Sequence, residues 1–158
     1  MLHRFAFVSV LAIALAGAGC LDSTNPPEAV PIEETTFAAS LGVNLAASTR
    51  TQNGAYYRDI TVGAGALVTS GQDLDTRYTG WLSNGAQFDS NATSGTVLTF
   101  TLGQREVIDG WDETIPGMRV GGKRQLIIPA YLGYGPFGNG PIPGNAVIVF
   151  TVEIVAAR

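Results

Sequence analysis

The chain has 158 residues with 13 acidic and nine basic side chains, a formal charge of −4, and a single histidine and a single cysteine. This length fits one domain with a hydrophobic core, and the scattered acidic charge argues against nucleic acid, whose phosphates require a basic surface. Because the one histidine, His3, lies in the short basic opening of the chain, histidine-dependent nucleophiles and nearly all zinc sites are excluded from the rest of the chain, and we expect neither metal nor cofactor.

The chain begins with a short basic stretch, followed by an apolar run over residues 5–19 and then by Cys20. This order is typical of a secretory signal peptide, and the run is shorter than the roughly 20 apolar residues that span a bilayer. The residues before Cys20 resemble the bacterial lipobox, except that Gly17 occupies a position where an aliphatic residue is usual. We therefore predict a signal peptide over residues 1–19 and lipidation of Cys20, with ordinary signal cleavage as the alternative.

Acylation of Cys20 would remove the only thiol of a chain that is expected to enter an oxidising compartment. By resemblance to known lipoproteins, Leu21 after the cysteine favours sorting to the outer membrane. We expect the protein in the bacterial cell envelope, at the outer membrane and facing the periplasm. Contact with the membrane is expected through the lipid anchor only.

Residues 20–36 contain three prolines and three glutamates without apolar periodicity, which predicts a flexible tether behind the lipidated cysteine. Residues 37–53 form an N-terminal extension, in which the alternation of apolar residues from Leu41 to Leu45 favours a short strand over a loose helix. The folded domain is predicted to cover residues 54–158.

Within this domain, apolar and β-branched residues alternate in a pattern that is typical of strands. The predicted strands cover residues 56–62, 74–82, 97–102, 123–128 and 147–155. Asn84-Gly85 predicts a tight hairpin. One helix is predicted, with Asp109 as its N-terminal cap and Pro116 as its latest possible end. A sheet with a single short helix is an α+β arrangement.

A nearly uncharged group of aromatic and aliphatic residues indicates one apolar pocket. Val107-Ile108-Asp109-Gly110-Trp111 places two aliphatic side chains and an indole at the start of the predicted helix. Tyr78, Phe88 and Asp89 precede this motif, and Tyr134 follows it. Such a pocket fits a proline ring and the amide bond before it, and it does not fit a phosphate, a metal or a sugar.

The order and spacing of several motifs over about residues 54–158 resemble those of the FKBP-type peptidyl-prolyl isomerases. The matching motifs are Tyr78–Gly80, Gly85–Asp89, Leu102–Gly103, Val107–Trp111, Gly117–Gly121, Ile128–Pro129, Tyr134–Gly135, Pro141–Pro143 and Val149–Phe150. The resemblance implies an FKBP-like antiparallel sheet of five to six strands wrapped around one short α-helix. It also implies peptidyl-prolyl cis-trans isomerase activity, with proline-containing polypeptides as substrates and the family's macrolide inhibitors as ligands. We expect a monomer, because the long dimerisation helices of some envelope relatives are absent.

The resemblance also implies the site residues. The residues with catalytic roles are Asp89 as the pocket carboxylate, Tyr134 as a hydroxyl donor, Ile108 as a backbone N–H donor and Trp111 as the floor beneath the proline ring. The substrate-binding walls are Tyr78, Phe88, Leu98, Val107, Ile142 and Phe150. The chain departs from the family pattern twice: Leu98 stands where a second aromatic wall residue is usual, and the loop from Asp89 to Val97 lacks the arginine that usually pairs with the carboxylate.

The pocket predicts a mechanism in which no bond is broken. Rotation about the amide before proline crosses a barrier of about 18–20 kcal/mol, because resonance holds the amide planar. The twisted amide has less charge separation than the planar one, so an apolar pocket binds it preferentially and lowers the barrier. Two alternatives stay open: a proline-peptide-binding or chaperone module without turnover, which Leu98 and the missing arginine would explain, and a structural envelope lipoprotein with no ligand in the pocket.

Overall fold

The computed structural model describes residues 28–158, so the predicted leader and Cys20 lie outside the described part of the chain. The strands are β1 (Thr49–Arg50), β2 (Tyr56–Thr61), β3 (Asp73–Leu82), β4 (Gln87–Ser90), β5 (Leu98–Thr101), β6 (Lys123–Ile128) and β7 (Ile148–Ala157), and the helix is α1 (Asp109–Thr114). In the part of the chain that is described, no helix is long and apolar enough to cross a membrane.

All the strands join one antiparallel sheet in the order β1-β2-β6-β7-β3-β4, with β5 pairing on β3. β3 and β7, of ten residues each, pair along most of their lengths at its centre. The predicted α+β fold with an antiparallel sheet and one short helix is confirmed, but residues 28–158 contain seven strands instead of five or six. The extra strands are β1, which has only two residues, and β4, in which Phe88 is the one apolar side chain and no alternation is visible.

Helix α1 lies against the inner face of the sheet and begins where it was predicted. Asp109 is not its cap, because Ile108 holds the N-cap position and makes no side-chain cap hydrogen bond. Trp111 is 3% exposed and joins the main hydrophobic core. A Cβ atom at Gly110 would lie 2.5 Å from Cγ2 of Ile128, so the close approach of the helix to β6 requires glycine.

Arg124 connects the sheet to the end of α1. Its guanidinium is 4% exposed and donates from Nε and Nη2 to the carboxylate of Asp59 on β2, at 2.7 and 3.1 Å. Nη1 donates to the carbonyl of Thr114 at 2.6 Å, and the guanidinium carbon lies 4.3 Å from the ring centroid of Tyr57. The buried charge therefore has partners on one neighbouring strand, β2, and on the helix that carries Trp111.

The segment before β1, residues 28–48, packs against the outer face of the sheet, and we call it the N-terminal strap. The predicted strand between Leu41 and Leu45 is wrong: 3-10 turns form at Ala39–Leu41 and Leu45–Ala47, separated by Gly42, whose φ of 57° breaks an extended chain. Ile32 is 2% exposed, so the predicted flexible tether does not extend to residue 36. The strap completes a second buried cluster, formed by Ile32, Tyr56, Ile127, Val147 and Val149.

Candidate active site

A cavity of about 350 Å³ opens on the inner side of the sheet, beside the start of α1. Its lining comes from β3, β4, β5, β7, α1 and the two connections that precede α1 and β7. The lining residues are Tyr78, Asp89, Leu98, Glu106, Val107, Ile108, Trp111, Tyr134 and Phe150. The volume is at the lower end of the range for small-ligand sites, which fits a proline residue with its neighbouring peptide groups.

The indole of Trp111 is fixed in the cavity lining by other aromatic rings. Its ring centroid lies 5.3 Å from those of Tyr78 and Phe150, both edge-to-face, and 5.8 Å from that of Phe100. Such contacts between offset or perpendicular rings are favourable beyond the area that they bury. The indole N–H is buried and makes no hydrogen bond within residues 28–158. Packing alone therefore sets the orientation of this ring.

Asp89 is held by a tyrosine. The hydroxyl of Tyr78 donates to Oδ2 of Asp89 at 2.5 Å, and the backbone N–H of Tyr78 donates to Oδ1 of Asn91 at 2.7 Å. Asp89 takes part in none of the ion pairs within residues 28–158. Burial, and then the hydrogen bond to Asp89, raise the pKa of Tyr78 well above its usual value, so its hydroxyl stays a donor. The phenol thus occupies one oxygen of a carboxylate that lacks the family's usual arginine.

Two donors of the cavity have no partner within the described chain. The Tyr134 hydroxyl makes no hydrogen bond within residues 28–158, and its ring packs edge-to-face on Phe88 at 6.4 Å. Burial, and then the charge of Asp89, raise the pKa of Tyr134, which keeps its proton on the oxygen. The backbone N–H of Ile108 precedes the first turn of α1, where N–H groups have no intrahelical acceptor. Both groups can therefore donate to a ligand.

The structure brings eight of the ten predicted site residues to the cavity and leaves two outside its lining. Phe88 packs against the lining: its ring centroid is 5.5 Å from that of Phe150, and it lies over Gly80, where a Cβ would lie 2.6 Å from its ring. Ile142 is 6% exposed and belongs to the main core. Phe88 thus contacts two rings of the lining, those of Phe150 and Tyr134, whereas Ile142 contributes to the core.

Glu106 is a cavity residue that sequence reasoning missed. Its Oε2 accepts a hydrogen bond from the backbone N–H of Thr101 at 3.0 Å, which fixes the carboxylate beside Val107. An isolated glutamate in a polar loop carries no periodic or motif signal, and only its position next to Val107-Ile108 could have indicated it. No group of three or more His, Cys, Asp or Glu side chains within residues 28–158 is arranged to hold a metal ion.

Comparisons with known proteins agree with this geometry. The family model for FKBP-type peptidyl-prolyl cis-trans isomerases matches residues 65–155. The chain is 45% identical over 103 residues to the FK506-binding protein of Neisseria meningitidis serogroup B, which covers 65% of this chain and 94% of that protein. It is 47% identical over 111 residues to FK506-binding protein 4 of Rhizopus delemar, covering 70% of this chain and 29% of that one.

Two solved structures share the fold. The crystal structure of FkpA from Escherichia coli superposes with a TM-score of 0.65 at 33% identity, covering 71% of this chain and 52% of that one. The crystal structure of AtFKBP13 superposes with a TM-score of 0.63 at 36% identity, covering 70% and 98%. The chain therefore belongs to the family of FKBP-type peptidyl-prolyl cis-trans isomerases, whose members bind proline-containing peptides and FK506-type ligands.

Proposed function

We propose that this protein accelerates rotation of X-Pro bonds in envelope polypeptides by binding the twisted amide in the cavity floored by Trp111. The observation that carries the proposal is the convergence of Trp111, Tyr78 and Phe150 with two unpaired donors on one cavity of suitable size. The rings supply an apolar site for the proline, and the donors supply hydrogen bonds for the flanking carbonyls.

The mechanism follows from how the amide changes during rotation. Twisting removes the resonance that makes the ground state planar and polar. The twisted amide therefore loses less hydration free energy than the planar amide when it moves from water into the cavity. Trp111, at 3% exposure, offers the proline ring a surface that excludes water. Binding energy from the ring then lowers the rotational barrier, and no proton transfer or covalent intermediate is needed.

The two donors would hold the substrate while the amide turns. The Ile108 N–H would bind the carbonyl of a residue next to the proline, and the Tyr134 hydroxyl would bind another. Because the raised pKa of Tyr134 keeps its hydroxyl protonated, this donor persists over the whole neutral range. Asp89 contributes by fixing Tyr78 in the wall, through the hydrogen bond between them.

An isomerase assay tests this proposal. Exchange between cis and trans forms of a proline peptide, followed by NMR, should accelerate with folded protein at micromolar concentration. Tyr134→Phe should lower kcat/KM about fivefold, since one hydrogen bond contributes roughly 1 kcal/mol. Tyr131→Phe is the matched control, because Tyr131 is 65% exposed and lies outside the cavity lining.

Two outcomes would contradict it. Exchange no faster than in buffer would reject catalysis, and saturable peptide binding under the same conditions would then support the proline-binding module. Equal losses in the two tyrosine variants would show that the Tyr134 hydroxyl makes no contact with the substrate.

We also propose that the protein acts as a monomer held at the outer membrane, facing the periplasm, by a lipid on Cys20. The basic start, the apolar run and the lone cysteine support this proposal. Only 11 residues lie between Cys20 and the buried Ile32, a reach of at most about 40 Å, so the isomerase domain would stay close to the bilayer. Cys20→Ser should release the protein from the membrane fraction and abolish labelling by a fatty acid. Retention of Cys20→Ser in the membrane would refute the anchor, and sedimentation of the released form would measure its oligomeric state.

A further inference from the structure

The mouth of the cavity carries two carboxylates and no cation. Asp89 and Glu106 are among the lining residues, and the other lining residues are uncharged. Both acidic residues are exposed to solvent, Asp89 at the end of β4 and Glu106 on the connection from β5 to α1. A peptide that enters the cavity therefore passes negative charge that comes from two separate elements of the fold.

Neither carboxylate is neutralised within residues 28–158. The ion pairs in this part of the chain engage four other acidic residues: Glu33, Asp59, Asp75 and Glu153. Arg105 precedes Glu106 in the chain, but it is exposed and forms no ion pair with it. The two cavity carboxylates thus differ from the paired ones elsewhere on the surface.

Both carboxylates are held in place by neutral donors. Oδ2 of Asp89 accepts from the Tyr78 hydroxyl, and Oε2 of Glu106 accepts from the Thr101 N–H. Each carboxylate keeps a second oxygen that accepts no hydrogen bond from residues 28–158. The charge of Asp89 acts across the cavity, as its effect in raising the pKa of Tyr134 shows. The two carboxylates therefore hold their negative charge at fixed positions in the cavity lining.

We infer that Glu106 and Asp89 make the pocket selective for proline segments flanked by lysine or arginine, and disfavour segments flanked by aspartate or glutamate. This inference rests on the proposed isomerase function and specifies its substrate class. Opposite charges about 4 Å apart attract by roughly 1 kcal/mol in bulk water, which corresponds to about fivefold in an equilibrium constant. At a more typical separation of about 6 Å, the attraction and the repulsion are each roughly 0.7 kcal/mol, and together they give an expected preference of about tenfold at low salt.

The test compares three peptides that carry lysine, leucine or glutamate on both sides of one proline. Cis-trans exchange is followed by NMR with the full-length protein, so that no protease contributes its own specificity. We expect kcat/KM to be about tenfold higher for the lysine peptide than for the glutamate peptide at about 0.01 M salt. The ratio should approach unity at about 1 M salt, where the screening length falls from roughly 30 Å to 3 Å.

Two variants at neighbouring positions measure the contribution of the Glu106 charge. Glu106→Gln keeps an oxygen that can accept from the Thr101 N–H, but it removes the charge, and the lysine-to-glutamate ratio should fall about threefold or more. Arg105→Gln, one residue earlier and outside the cavity lining, should leave the ratio unchanged or raise it. Comparing ratios between proteins cancels any intrinsic difference between the peptides.

The outcomes separate this inference from the isomerase proposal. Acceleration of the leucine peptide with no preference between lysine and glutamate would overturn the inference and leave the isomerase proposal intact. A preference that Glu106→Gln does not reduce would also overturn the role of Glu106. Failure to accelerate any of the three peptides would reject the isomerase proposal itself.

Discussion

Arg124→Met should destabilise the domain by about 2–3 kcal/mol. Removing one partner of a buried ion pair usually costs about 3–5 kcal/mol, because the other partner stays buried and unpaired. Here the side chain of Asp59 is 38% exposed, so water can solvate its carboxylate, which reduces the expected loss. The carbonyl of Thr114 would lose its guanidinium donor, and the cation over the Tyr57 ring would be lost as well.

Urea unfolding followed by tryptophan fluorescence measures this loss, since Trp111 is packed in the core beside the cavity. The domain should stay folded, because a typical domain has about 5–15 kcal/mol of stability. Arg158→Met is the matched control: Arg158 also forms two hydrogen bonds to a carboxylate, that of Asp75, but its side chain is 56% exposed. Exposed ion pairs contribute little. Equal losses in the two variants would refute the argument that burial decides the cost.

Three further predictions concern the strap and the cavity. Ile32→Ala should lower the free energy of unfolding by about 2–4 kcal/mol, because Ile32 is 2% exposed, whereas Val30→Ala, at 49% exposure, should change it by less than about 0.5 kcal/mol in urea titrations. Because the pKa of Tyr78 is raised on folding, its contribution to stability is complete below pH of about 10 and is lost as the pH rises further. The melting temperature of Tyr78→Phe should therefore fall less than that of the wild type between about pH 9 and 11, and an equal fall would contradict this. Trp111→Leu should weaken binding of an FK506-type ligand at least about tenfold by calorimetry, since two edge-to-face contacts are lost, and unchanged affinity would show that the indole does not floor the site.

The central sheet could be predicted because a strand that is buried on one face has apolar residues at alternate positions. In β3, Leu74 and Thr76 are fully buried, whereas the charged residues Asp73 and Asp75 alternate with them and are more exposed. β4 shows no such alternation, since three of its four residues are polar and its pairing with β3 is fixed by the hairpin. The strands that could not be predicted are therefore the very short one, β1, and the polar one, β4.

The cavity was predicted from motif order more than from physical pattern. Nothing in the periodicity of the chain brings Tyr134 near Asp89, because Asp89 lies on β4 and Tyr134 on the connection before β7, and they meet only through the fold. The resemblance supplied that proximity, and it also named Phe88 and Ile142, which the structure leaves outside the lining. It could not supply Glu106, which belongs to the lining and forms no ion pair within residues 28–158.

The strand predicted in the strap was wrong because its apolar residues alternate over only five positions, too few to specify an extended chain. Leu41, Val43 and Leu45 alternate as a strand would, yet each packs on the second cluster from an irregular turn. Prolines and glutamates near Ile32 gave the composition of a tether, but Ile32 is buried and Glu33 accepts a hydrogen bond from the Tyr56 hydroxyl, and both contacts hold the segment on the sheet. The composition of a segment is an average over its residues, so it cannot identify one buried side chain.

The strap and the cavity lie on opposite faces of the same strands, and this places the strap within the functional unit. On β7, Val149 faces the strap cluster, and its neighbour Phe150 lines the cavity on the other side. On β6, Ile127 likewise faces the strap cluster, and its neighbour Ile128 lies in the main core against Gly110 of α1. A change that loosens the outer face therefore allows these strands to shift under the rings that fix Trp111. An isomerase domain cut at residue 54 would lose this support, even though every residue of its cavity would be present.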